Sequence, residues 1–166
     1  MEGLDEWEGW NIEKPGTYVL VLHLARPARI VIGALGVVNL DAGYYLYVGS
    51  ALNGLAGRLR RHLRTDGKRL HWHIDYLRTE AALVDVWWAV SPERLECEWA
   101  AALRRLPGVC EPVAGFGSSD CRCRSHLFYL ADLPSPDDLA GLPFAVRASS
   151  KSARSETGPS DSSDRF

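Results

Sequence analysis

Gly43-Tyr44-Tyr45-Leu46-Tyr47-Val48-Gly49-Ser50-Ala51, followed by Arg58-Leu59-Arg60-Arg61-His62, is the stretch on which the reading of this chain turns. Aromatic and β-branched residues over residues 44–48 make a strand. The strand runs into a glycine and then into a helix crowded with arginine and histidine. Phenols at a strand end thereby come close to guanidinium groups. A phenol hydrogen-bonds a water, and a guanidinium holds phosphate oxygens in a planar fork. The group such a pairing suits is a phosphodiester.

Upstream, residues 17–24 (Thr-Tyr-Val-Leu-Val-Leu-His-Leu) have the length and composition of a strand. Arg26-Pro27 breaks it, and residues 29–35 read as the return strand of a hairpin. With the turn Asp41-Ala42-Gly43, the chain is expected to open as an antiparallel meander. Downstream, Leu52, Leu55, Leu59 and Leu63 recur at helical spacing, with Arg58, Arg61 and His62 on a face away from them. Gly67 closes that helix. The segment His71-Trp72-His73-Ile74-Asp75-Tyr76-Leu77 fits a strand by its alternation and a helix by Leu70, Ile74 and Leu77, and periodicity leaves the two open. Residues 82–90 read as a strand. Ser91-Pro92 supplies an N-cap and a first-turn proline for a helix with the stripe Leu95, Trp99, Ala102, Leu103 and Leu106, stopped by Pro107-Gly108. A glycine- and serine-rich loop over residues 115–123 leads to a last strand over 126–131.

The 166 residues divide into a polar lead-in over 1–14, one domain over 15–142 and a tail over 143–166, which is expected to be disordered. A hydrophobic fraction of 46% and six Trp supply a core. No run approaches the roughly 20 apolar residues of a membrane span. The acidic start, Glu2, Asp5, Glu6 and Glu8, is no secretory signal, so a cytoplasmic location is expected. The four cysteines then read as thiols or metal ligands rather than disulfides. A net charge of -2 does not advertise nucleic-acid binding. Yet Arg58, Arg60, Arg61, Arg64, Lys68 and Arg69 gather with His62, His71 and His73 against Asp66 alone, and such a local patch can follow a phosphate backbone.

The order Gly16-Thr17-Tyr18, Tyr47-Val48-Gly49-Ser50-Ala51, Arg58 with Arg61-His62, and then Glu96 resembles the GIY-YIG nuclease superfamily. The stretches at 71–77 and Gly115-Phe116-Gly117-Ser118-Ser119-Asp120-Cys121-Arg122-Cys123, with Ser125-His126-Leu127-Phe128, are similar to signatures of its Uri-type branch. The likeness covers roughly residues 13–131. It implies an α/β (α+β) domain, a small antiparallel sheet flanked by helices, with an added N-terminal hairpin around residues 29–40, and it makes the segment at 71–77 a helix. It also implies an endonuclease that cuts DNA with one divalent ion, Mg²⁺ or Mn²⁺, in repair or processing. Tyr18 and Tyr47 would stand side by side and help deprotonate the nucleophile. Arg58 would hold the scissile phosphate, His62 would contact phosphate or assist proton transfer, and Glu96 would bind the ion. Thr17 replaces the usual Ile, keeping a β-branched residue. The asparagine that often follows the glutamate helix has no clear counterpart; Asp120 or His126 is the candidate.

Hydrolysis of a phosphodiester needs a placed water, a base and positive charge near the developing oxygens. Tyrosine is a weak base until a cation or metal favours its phenolate, so Tyr18 or Tyr47 acts as base only with Arg58 and the Glu96 ion beside it. Gly49, Ser50, Arg61, His71 and His73 are expected to contact substrate, as are Ser118, Ser119, Asp120 and His126 in the later loop. Zinc at Cys121, Cys123 and His126, with Cys110 or Cys97 as a fourth ligand, is the competing reading of that loop. The single residue between the two cysteines is tighter than the roughly two to four usual at zinc, which favours the substrate loop. Two rivals to the nuclease are a non-cleaving nucleic-acid-binding module and a zinc-stabilised adaptor. DNA is the expected partner, with RNA left open, no membrane, and room for a protein that supplies specificity.

Overall fold

Residues 17–24 read as a nearly unbroken apolar run because their strand is covered on both faces. In the computed structural model, which describes residues 13–64, 69–140 and 142, β1 (Gly16–Leu24) lies inside a four-stranded antiparallel sheet. The order is β5-β1-β4-β6, with β4 at Gly43–Ala51, β5 at Ala82–Val90 and β6 at Leu127–Leu130. Residues 1–12 of the expected lead-in, Asp66, Gly67 and Lys68, and the tail over 143–166 lie outside the described residues. Among the described residues no helix is long and apolar enough to cross a membrane.

Strand alternation sends neighbouring side chains to opposite faces. Tyr18, Leu20, Leu22 and Tyr45 join a cluster with Leu55 and Leu59 of α1 (Leu55–Leu63) and Ile74 and Leu77 of α2 (His73–Arg78). Val19, Val21, Leu46 and Val48 pack the other way, onto Trp99, Ala100 and Leu103 of α3 (Glu96–Leu103). A short α4 (Pro136–Ala140) follows β6. The fold is α+β, a small antiparallel sheet with helices on both faces, and the ambiguous segment at 71–77 is a helix from His73 onward.

Three expectations are corrected. Residues 29–35 are not the return strand of β1. Instead β2 (Ala28–Val31) pairs with β3 (Val37–Leu40) in a separate two-stranded sheet, joined by a 3-10 turn at Gly33–Leu35, and β4 takes the place beside β1. Ile30, Ile32 and Leu40 of this added hairpin join the α1–α2 side of the core, a burial that β1 pairing would not supply. The second correction is at α3, which starts at Glu96 rather than Ser91. The Ser91 hydroxyl accepts the Glu93 N–H at 3.1 Å, closing a local turn that competes with the helix.

His62 is the third correction. At about 100° per residue, it points only about 20° from the direction of Leu55, whereas Leu63 has drifted by about 80°. The helix therefore buries Leu55, Leu59 and His62, with His62 1% exposed, and leaves Leu63 half-buried. Arg58 sits on the flank of the buried stripe, and Leu52 lies outside the helix, exposed.

Candidate functional site

The β1–β4 register puts Tyr18 opposite Gly49 and Leu20 opposite Tyr47, so the two tyrosines are diagonal neighbours on one face. The Tyr18 ring lies across Gly49: a Cβ there would sit 2.5 Å from the phenol oxygen. Gly117, at φ +66°, does the same for Tyr47, where a Cβ would come within 2.8 Å of the ring. The two motif glycines are thus the spaces into which the two phenols fit.

β6 pairs with β4 only from Tyr44 to Tyr47, and a last bond runs from the Val48 N–H to the His126 carbonyl at 3.0 Å. Residues 49–51 are left at an open edge, so side chains from both faces of the sheet reach one cleft of about 600 Å³. Tyr18, Tyr47 and Arg58 border it from the α1 side; Ser50 and Glu96 border it from the α3 side. Gly49, His71, His73, Ser119 and Asp120 also line it. Glu98, two residues along α3, is exposed and borders a different groove.

Glu96 is 17% exposed. Ser50 donates its hydroxyl to Oε1, and the buried His126 brings Nδ1 to 3.6 Å from Oε2. Arg94 approaches Glu96 at 3.9 Å and Asp120 at 3.7 Å, so it links the two carboxylates across the cleft. The sequence reading missed Arg94; nothing in its spacing marked it.

Tyr18 and His62 share a hydrogen bond of 2.7 Å between the phenol oxygen and Nε2. Burial pushes the pKa of Tyr18 well up, Tyr47 adds to this, and nearby Arg58 works against it. Burial likewise raises Tyr47, with Glu96 adding and Arg58 opposing. The pull of Arg58 expected from the sequence is present, but burial outweighs it, and both side chains stay phenols at neutral pH.

Trp72, also missed as a site residue, organises the cationic wall. The Arg58 guanidinium carbon lies 4.4 Å from its ring and that of Arg61 4.0 Å. Arg61 is not in the cleft lining. Its fork meets both Asp75 oxygens at 2.8 Å, and Asp75 also accepts the N–H groups of His71 and Trp72 at 2.9 Å. Burial alone would raise Asp75, but Arg61 and these two N–H groups win and hold its carboxyl well below the usual carboxylate range. A carboxyl lowered by folding stabilises the fold above its unfolded pKa of about 3.9 and loses that stabilisation as pH falls toward the folded value. Asp75→Asn is therefore expected to cost about 2 kcal/mol at pH 7. It should also flatten the loss of stability that the wild type shows below about pH 4. Urea unfolding at several pH values measures both effects.

Three more expected contacts stand behind the cleft wall. His62 is bonded to Tyr18 as described. Ser118 is buried, its hydroxyl turned to the Arg124 carbonyl at 3.4 Å, and His126 is buried between Glu96 and Cys121. His73 lines the cleft and also anchors the loop, since its Nδ1 accepts the Gly117 N–H at 3.0 Å. Burial lowers the His73 pKa, which keeps the ring neutral for that role.

The cysteine loop departs most from expectation. Ligand atoms of Cys97, Cys121, Cys123 and His126 all lie within 4.8 Å of one another, close enough to hold a metal ion. Cys110 is elsewhere, exposed and bridged by backbone to Tyr129. The single-residue gap between Cys121 and Cys123 did not keep their sulfurs from converging. Hydrogen bonding to Cys123, then burial and Cys121, push the Cys97 thiol up to about 12.

The chain belongs to the family described as Domain of unknown function DUF123, whose model matches residues 17–142. No curated protein and no solved structure matches it.

Proposed function

We propose that this DUF123 domain is a metal-dependent endonuclease of the GIY-YIG superfamily, Uri-type branch, which hydrolyses phosphodiester bonds in DNA during repair or processing. The observation that carries this reading is the convergence of Tyr18, Tyr47, Arg58 and Glu96 on one cleft from β1, β4, α1 and α3. Each residue alone has a bland role; a sheet tyrosine packs, and a helix arginine is solvated. Their meeting at an open strand edge, with a further arginine and histidines around them, is what a phosphodiester needs.

The Glu96 carboxylate, the Ser50 hydroxyl on it and the Asp120 carboxylate across the cleft are hard oxygen donors. They suit Mg²⁺ or Mn²⁺, ions that take one or two carboxylates and complete their shell with water and substrate phosphate. When bound, such an ion supplies positive charge beside the phosphate oxygens and makes a nearby water more acidic.

The chain's own groups do the rest. Arg58, stacked on Trp72, presents its remaining donors to the non-bridging phosphate oxygens. A water oxygen bonds to phosphorus while the bond from phosphorus to the leaving ester oxygen breaks. The water's proton passes to the Tyr18 oxygen as the phenol proton moves to His62 Nε2 along the 2.7 Å hydrogen bond. The leaving oxygen takes a proton from solvent. The raised pKa of Tyr18 fits a relay, in which the phenol passes a proton on without persisting as phenolate. Supercoiled plasmid incubated with Mg²⁺ or Mn²⁺ should be nicked, and a chelator should stop it. Binding without nicking under all these conditions would favour the non-cleaving module instead.

A further inference from the structure

We infer that Cys97, Cys121, Cys123 and His126 form a zinc site that ties the substrate loop to α3 and orients Glu96. The first observation is geometric. Four ligand atoms from α3, the loop and the residue before β6 lie within 4.8 Å of one another. Zinc–sulfur bonds near 2.3 Å in a tetrahedron require ligand atoms about 3.8 Å apart. The Cys121 sulfur and His126 Nε2 are already at 3.5 Å. Small side-chain rotations close the rest.

The ligand set selects the ion. Three thiolates and an imidazole are soft and borderline donors, which suit zinc and are poor for Mg²⁺. The site is thus chemically separate from the oxygen donors of the cleft, although Glu96 and Cys97 are adjacent in the chain.

The second observation is at the other nitrogen of the same ring. His126 is 1% exposed, and among the described residues its Nδ1 finds no hydrogen-bond partner, with Glu96 Oε2 3.6 Å away. Zinc on Nε2 fixes the proton on Nδ1, from which it points at the Glu96 carboxylate. A metal-bound histidine that donates its second N–H to a carboxylate is a common way of fixing both groups. Here the fixed carboxylate is the one proposed to act in the cleft, and this part of the inference rests on the nuclease reading. The zinc site would also hold the loop that carries Gly117 and Asp120 against the cleft.

The test begins with metal analysis of full-length protein purified without added metal. The expected result is one zinc per chain, and cobalt exchanged into the site should give the visible bands of a tetrahedral thiolate complex. Cys97→Ser and Cys123→Ser should lose the zinc and the cobalt bands. If those variants fail to fold, a mercurial titrated into the wild type should release the zinc to a colorimetric indicator. His126→Cys should keep one zinc and the melting temperature, because a fourth thiolate replaces the imidazole. It should lower DNA cleavage about 10- to 100-fold, since the link to Glu96 is lost. No zinc, with either four reactive thiols or a disulfide in place of two of them, would overturn the site. Zinc present and His126→Cys cutting at the wild-type rate would overturn the orienting role. Zinc present in a protein that never cuts would leave the site standing and sink the nuclease reading.

Discussion

Glu96→Ala is expected to abolish DNA cleavage while leaving the fold and DNA affinity in place. Of the two carboxylates that line the cleft, Glu96 is the less exposed, with Ser50 on one oxygen and His126 near the other. Losing it removes the main anchor of the divalent ion, whose charge is worth several kcal/mol in the transition state. At about 1.4 kcal/mol per tenfold, cleavage should fall about 10³-fold or more. Affinity should hold, because a carboxylate beside a phosphate gives no attraction of its own. The side chain is not in the apolar core, so circular dichroism and melting should change little. Single-turnover cleavage and a binding titration on the same oligonucleotide separate the two effects. Glu98→Ala is the control, since Glu98 is exposed and outside the cleft. If Glu98→Ala stops cleavage and Glu96→Ala does not, the ion is held elsewhere.

The second large effect belongs to Arg58. Its guanidinium stacks on Trp72 and borders the same cleft as Tyr18 and Tyr47. A group that grips the phosphate as charge develops acts on the rate more than on affinity. Arg58→Ala should lower single-turnover cleavage about 10²-fold or more, with a smaller change in affinity. Arg58→Lys should recover only part of the loss, since lysine keeps the charge but not the planar fork or the stacking. If Arg58→Ala weakens binding and cuts normally once saturated, Arg58 belongs to the general basic patch.

The fold was legible where a strand is buried on both faces. β1 and β4 stand out as runs of apolar, aromatic and β-branched residues because both their faces are covered, whereas the edge strand β5 shows the same residue types although Val84 and Val90 are exposed. Pairing was less legible. Nothing in residues 29–35 says that their partner is 37–40 rather than β1, since neighbours in sequence are the usual default. The start of α3 was misplaced because Ser91-Pro92 carries the signal of a helix cap, and only the surrounding backbone decides that Ser91 closes a turn instead.

The site was legible as a set of residue types in order, and less so as geometry. Tyr18, Tyr47, Arg58 and Glu96 were all named, and all reach the cleft. His62 was assigned to the wrong face because leucines spaced by four suggest a stripe that drifts away from the true one, while 55, 59 and 62 follow the helix. Trp72 falls within residues 71–77, but its stacking against two arginines depends on α1 and α2 meeting. Cys97 could not be chosen over Cys110, because the fourth position of the cluster is supplied by α3 across a chain separation that spacing rules do not reach.

Cleavage in water enriched in oxygen-18, followed by mass spectrometry of the DNA ends and of the protein, tests the central claim most directly. With Mg²⁺ or Mn²⁺, the account predicts cut strands in which each new terminal phosphate carries one oxygen from solvent, protein of unchanged mass, and no products from Glu96→Ala. Intact DNA across plasmid and structured oligonucleotides in both ions would contradict it, as would phosphates without solvent oxygen or a strand left attached to a tyrosine.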